Sequence, residues 1–176
     1  MNLANKLTVF RVILVPFFVF FMLTDYIPYS RLIGLVIFVI ATITDHFDGA
    51  IARKYNMVTS FGKFMDPIAD KLLVSSALIC LNSLGEFPAW AVIVIILREF
   101  AVSGVRLVAS DNGSVIAASS WGKAKTVAQM VMIIIYLLNV PALSIVADAV
   151  MYIAVALTVV SMIDYLIKNK SVIKFE

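Results

Sequence analysis

The chain has 176 residues, of which 62% are hydrophobic and 14% charged, with a net charge of +3 and a mean hydropathy of +1.03. A soluble domain of this size is nearer half apolar with about a quarter of its residues charged, so the excess exceeds what one small core can bury and lipid is the expected solvent. The basic residues form no continuous stripe, which excludes a nucleic-acid surface, and the single cysteine, Cys80, excludes a disulfide framework within the chain.

Six apolar runs have roughly the 20-residue length that a helix needs to cross a bilayer. The first, Leu7–Thr24, is followed by no small-x-small cleavage site and is long enough to span, so it is read as part of the mature chain. Asn5, Thr8 and Arg11 stand at i,i+3 spacing at its start. They could close the rim of a polar cleft, but an amphipathic first helix with Arg11 snorkelling is the simpler expectation. Leu32–Arg53 and Phe61–Leu81 follow and hold a group of carboxylates. Pro88–Ala109 contains Arg98, Glu99 and Arg106, and Trp121–Leu138 opens with Lys123 and Lys125. Leu143–Ile167 contains Asp148 and Asp164, read as interfacial residues without chemistry. The connectors, among them "DYIPYS", "NSLGEF" and "NVPA", have turn composition. The expected fold is an all-α integral membrane protein of six transmembrane helices, forming one domain over residues 1–176.

Basic residues decide the orientation. Lys6, Arg11, Arg53, Lys54, Lys63, Lys123, Lys125, Lys168, Lys170 and Lys174 fall at one set of ends, and only Arg31 at the other. Both termini are therefore expected in the cytosol. The positive inner face suits anionic lipid headgroups.

Between Thr44 and Lys71 the chain reads "TDHFDGAIARKYNMVTSFGKFMDPIADK". The second and third spans make an antiparallel hairpin centred near Met57, about which Asp48 mirrors Asp66 and Asp45 mirrors Asp70. Within each helix the pairs stand at i,i+3 and i,i+4, so each pair shares a face. Asp45 lies 14 residues after Arg31, roughly 20 Å at 1.5 Å per residue. That places it inside a hydrocarbon core about 30 Å thick. Four such carboxylates cannot all ionise unaided. Two divalent cations would balance them, and all-oxygen ligation suits Mg²⁺ or Mn²⁺. Gly49 and Gly62 are costly in helix interiors, which asks for close helix packing or a ligand lying against the backbone.

The pattern Asp45-x2-Asp48-Gly49-x2-Ala52-Arg53-x8-Gly62-x3-Asp66-x3-Asp70 resembles, at every spacing, the signature of the CDP-alcohol phosphatidyltransferase family. "NKLTVFRVILVP", "LREFAVSGVRLV" and "GKAKT" extend the likeness toward its phosphatidylglycerophosphate synthase branch. His46 departs from the apolar or aromatic residue expected there but occupies no signature position. The resemblance implies transfer of a phosphatidyl group from CDP-diacylglycerol to glycerol 3-phosphate, with release of CMP. It also implies Asp45, Asp48, Asp66 and Asp70 as metal ligands and Asp70 as general base. Asp45, Gly49, Ala52, Arg53 and Gly62 would bind CDP-diacylglycerol, and a homodimer in a bacterial plasma membrane, its active site facing the cytoplasm, is implied as well.

An anionic acceptor needs cations, and Arg106, Lys123 and Lys125 are the candidates for glycerol-phosphate binding, although each could equally be an inner-face marker. Arg98 and Glu99 are expected to pair with neighbours across helices. The alternatives are the same chemistry on serine, an inositol phosphate or phosphatidylglycerol, or a cation transporter using the aspartates as an ion path. Arg53 and the two glycines are surplus to such a path.

Overall fold

The computed structural model describes residues 3–54, 60–111, 116 and 119–170; the side chains of 3–4, 45–54, 60–64, 66–67, 70 and 110–111 lie outside that description. Among the described residues the regular elements are all helices: α1 (Leu3–Leu23), α2 (Ser30–Lys54), α3 (Ser60–Ser83), α4 (Ala89–Asp111), α5 (Ser120–Leu138) and α6 (Ser144–Lys168), with a 3₁₀ turn at Pro141–Leu143. These follow the six expected spans closely, α1 beginning earlier than expected. Among the described residues three segments are long and apolar enough to cross a membrane: Asn5–Leu23, Ser120–Leu138 and Pro141–Lys168. The described apolar parts of α2 and α3, Ser30–Thr44 and Lys71–Ser83, are shorter, and α4 is interrupted by Arg98, Glu99 and Arg106. The chain forms two compact units, Met1–Glu86 and Phe87–Glu176.

In the first unit α1 packs against both α2 and α3, which also meet one another. Its two faces divide cleanly. Asn5, Thr8, Arg11, Phe18 and Met22 are buried, while Phe10, Ile13, Phe17 and Phe20 are exposed. That is the helical period with lipid-facing bulk on one side. On α2 the buried row is Leu35, Phe38 and Ala41. Phe18 meets Phe38 with ring centroids 5.9 Å apart, and a Cβ added at Gly34 would lie 3.0 Å from Met22 Sδ. Gly34 thus lets α1 and α2 approach closely, as small residues do between membrane helices. α3 ends in a Schellman motif: Glu86 N–H donates to Leu81 O at 3.0 Å and Gly85 N–H to Asn82 O at 2.9 Å, with Gly85 at φ +74°. Glycine takes this left-handed conformation without a Cβ penalty. The motif delivers Glu86 to Arg31, whose two terminal nitrogens fork onto the two carboxylate oxygens.

In the second unit α6 packs against α4 and α5. The α5–α6 hairpin is tied near its turn by the Tyr136 hydroxyl, which donates to Asp148 Oδ1 at 2.8 Å. Asp148 therefore has a partner that its reading as a plain interfacial residue did not provide. α4 and α6 run parallel, because their contacts climb both helices together. Trp90 stacks on Tyr152 at 6.2 Å, Arg98 Nε donates to Ser161 Oγ at 3.2 Å, and Arg106 sits 5.8 Å from the Tyr165 ring centroid.

Candidate active site

The described helices carry the signature positions on two neighbouring elements of one unit. Positions 45, 48, 49, 52 and 53 belong to α2, and 62, 66 and 70 to α3. The side chains of Asp45, Asp48, Arg53, Asp66 and Asp70, like Ala52, Gly49 and Gly62, lie outside the described residues. On the described turns beside them the buried rows are Leu35, Phe38 and Ala41 on α2 and Ala69, Leu73 and Ala77 on α3.

α1 supplies what the sequence reading assigned differently. Arg11 was expected to snorkel; it is fully buried, as is Thr8, and Asn5 is nearly so. The α1–α2 contacts Met22 with Gly34 and Phe18 with Phe38 set an antiparallel register. Carried down the pair, it puts Arg11 level with α2 position 45 and Thr8 level with position 48. An arginine stem can reach water only along a face that meets water or headgroups, and this face meets α2 and α3. The signal was present in the sequence, since Asn5, Thr8 and Arg11 share the face of Phe18 and Met22.

The second unit holds the basic candidates. Lys123 and Arg106 are exposed, Arg106 lying over the Tyr165 ring. Lys125 is only 2% exposed; its ammonium forms an ion pair with Glu99 Oε1. Arg98 Nη1 reaches the same oxygen at 3.2 Å while its Nε holds Ser161. The expected pairing of Arg98 and Glu99 across helices is thus present, and it includes Lys125. The α5 start is fixed by Ser119, whose Oγ accepts from Gly122 N–H at 3.1 Å, a side-chain N-cap. Among the described residues no three His, Cys, Asp or Glu side chains gather as a metal site.

Comparison with known sequences decides the family. The profile described as CDP-alcohol phosphatidyltransferase matches residues 1–160. The chain belongs to the CDP-alcohol phosphatidyltransferase family. Members of this family depend generally on divalent metal ions. Among similar family proteins is one from Bacillus subtilis named CDP-diacylglycerol–glycerol-3-phosphate 3-phosphatidyltransferase. It is 46% identical over 188 residues, covering 98% of this chain and 97% of that protein. A protein of Rickettsia bellii with the same name is 41% identical over 171 residues, covering 93% of each chain. A probable phosphatidylglycerophosphate synthase of Mycobacterium tuberculosis is 44% identical over 167 residues, covering 93% of this chain and 79% of that one. These family relatives are bacterial.

Proposed function

We propose that this chain transfers the phosphatidyl group of CDP-diacylglycerol to glycerol 3-phosphate, giving phosphatidylglycerol phosphate and CMP. The observation that carries the reading is the 46% identity to the Bacillus subtilis transferase along 98% of the chain. The intact aspartate signature supports it.

Asp45, Asp48, Asp66 and Asp70 are proposed to hold two divalent ions, Mg²⁺ or Mn²⁺. The donor set fits, since four carboxylates supply only hard oxygen ligands. When bound, such ions neutralise the diphosphate and stabilise the departing CMP. Asp45, Gly49, Ala52, Arg53 and Gly62 receive CDP-diacylglycerol, the small residues by leaving room and Arg53 by charge. Asp70 takes the proton of the acceptor's 1-hydroxyl. That oxygen bonds to the phosphatidyl phosphorus as the bond to the CMP oxygen breaks. Arg106, Lys123 and Lys125 serve the acceptor's phosphate. The protein is one membrane domain over residues 1–176, with six spans, cytosolic termini and an active site facing the cytoplasm of a bacterial plasma membrane, and it works as a homodimer.

The test is purified protein with CDP-diacylglycerol, Mg²⁺ or Mn²⁺ and a panel of alcohols, followed by CMP release. CMP with glycerol 3-phosphate is expected. CMP only with serine, an inositol phosphate or phosphatidylglycerol would overturn the acceptor, and no CMP with any alcohol would overturn the enzyme reading and leave the transporter.

A further inference from the structure

Within the second unit one carboxylate organises two buried cations. Glu99 Oε1 receives the Lys125 ammonium and the Arg98 guanidinium, and Arg98 is tied from its other edge to Ser161, itself fully buried. Buried charges persist where they are paired and hydrogen-bonded, and here a single carboxylate oxygen fixes both cations. Two further buried polar side chains stand one turn along from members of this cluster. Gln129 stands one turn from Lys125 on α5, and Tyr165 one turn from Ser161 on α6. Gln129 Oε1 and the Tyr165 hydroxyl are buried and make no hydrogen bond among the described residues. Buried polar atoms of this kind call for a partner, and a phosphorylated, hydroxylated alcohol carries the matching groups.

We propose that Glu99 is a positioning residue for the acceptor: it holds Lys125 and Arg98 in the geometry that binds the phosphate monoester of glycerol 3-phosphate. Glu99 does not touch the reacting atoms. It fixes two long side chains whose rotamer freedom would otherwise be spent on each binding event. The inference rests on the proposed acceptor and adds the device that selects a phosphorylated alcohol over its free counterpart.

The test is steady-state CMP release by the purified full chain, varying glycerol 3-phosphate, free glycerol and CDP-diacylglycerol separately. Glu99→Gln keeps the shape and removes the charge. It is expected to raise KM for glycerol 3-phosphate roughly tenfold or more, the scale of a lost charged hydrogen bond. KM for CDP-diacylglycerol stays unchanged, and the preference for glycerol 3-phosphate over glycerol shrinks. Glu99→Asp recovers part of the loss. Ser161→Ala, a change small enough to fold, is expected to raise the same KM several-fold by freeing Arg98. An unchanged KM for glycerol 3-phosphate in Glu99→Gln, or a uniform loss of kcat on every acceptor, overturns the role of Glu99. Should Glu99→Gln not fold, Glu99→Asp decides in its place, an unchanged KM for glycerol 3-phosphate there overturning the role. Wild-type protein that releases no CMP with glycerol 3-phosphate overturns the proposed acceptor, and the inference with it.

Discussion

Lys125 on α5 is buried against Glu99 on α4, and the carboxylate oxygen it meets is the one that Arg98 also reaches. Lys123, two residues earlier, is exposed. The two lysines of "GKAKT" therefore live in different dielectrics, and a basic residue at a helix start is not one category. An exposed lysine gains little from pairing; removing one partner of a buried pair leaves an uncompensated charge.

The lysines should accordingly separate on mutation. Lys123→Ala is expected to change stability by no more than about 0.5 kcal/mol, as surface substitutions do. Lys125→Ala is expected to cost about 3 kcal/mol, because Glu99 is left with a weakened set of partners. Thermal unfolding of the two variants in the same detergent checks this; equal midpoints would mean that the pair contributes nothing to the fold.

Asp70 is proposed as the base, so its amide should bind but not turn over. Asp70→Asn is expected to lower kcat by about 100-fold or more, the usual contribution of general-base catalysis. Binding of CDP-diacylglycerol should stay measurable by calorimetry or by protection against heat. Near-wild-type turnover in this variant would remove Asp70 from that role.

Chelation provides a test of the carboxylate cluster independent of any variant. Treatment with EDTA is expected to abolish CMP release, and Mg²⁺ or Mn²⁺ to restore it. Metal should also raise the melting temperature, since a ligand bound only by the folded state stabilises it by mass action. Activity that persists through exhaustive chelation would overturn the metal assignment.

The helices were legible because lipid makes length a signal: six runs near 20 residues, punctuated by turn residues, map onto six helices. The meeting of the aspartates lies outside the described residues, though their spacing was legible. Arg11 and Lys125 were not. In a soluble protein a charged residue marks the outer face, but in lipid the outer face is apolar, as Phe10, Ile13 and Phe17 show. Polar residues then turn inward. Read with that inversion, Lys125 and Gln129 fall on the buried row of Met132 and Tyr136, and Arg11 on that of Phe18. Which carboxylate meets Lys125 depends on how α4 and α5 pack, and spacing along one helix does not contain that.

Gly34 tests the α1–α2 register on which the level of Arg11 depends. An added Cβ would lie 3.0 Å from Met22 Sδ and 3.3 Å from its Cγ. The obstacle is a flexible thioether, which can give way by a rotamer change. Gly34→Ala is therefore expected to cost less than about 1 kcal/mol, because alanine's better helix propensity offsets part of the contact. Gly34→Leu cannot be absorbed this way and is expected to cost about 1–3 kcal/mol through overpacking. A second change, Met22→Ala, should relieve much of the Gly34→Leu penalty, since residues in contact couple non-additively. Thermal unfolding of the four proteins closes the cycle. Strict additivity would mean that Met22 and Gly34 do not meet, and would withdraw the register that sets Arg11 opposite position 45.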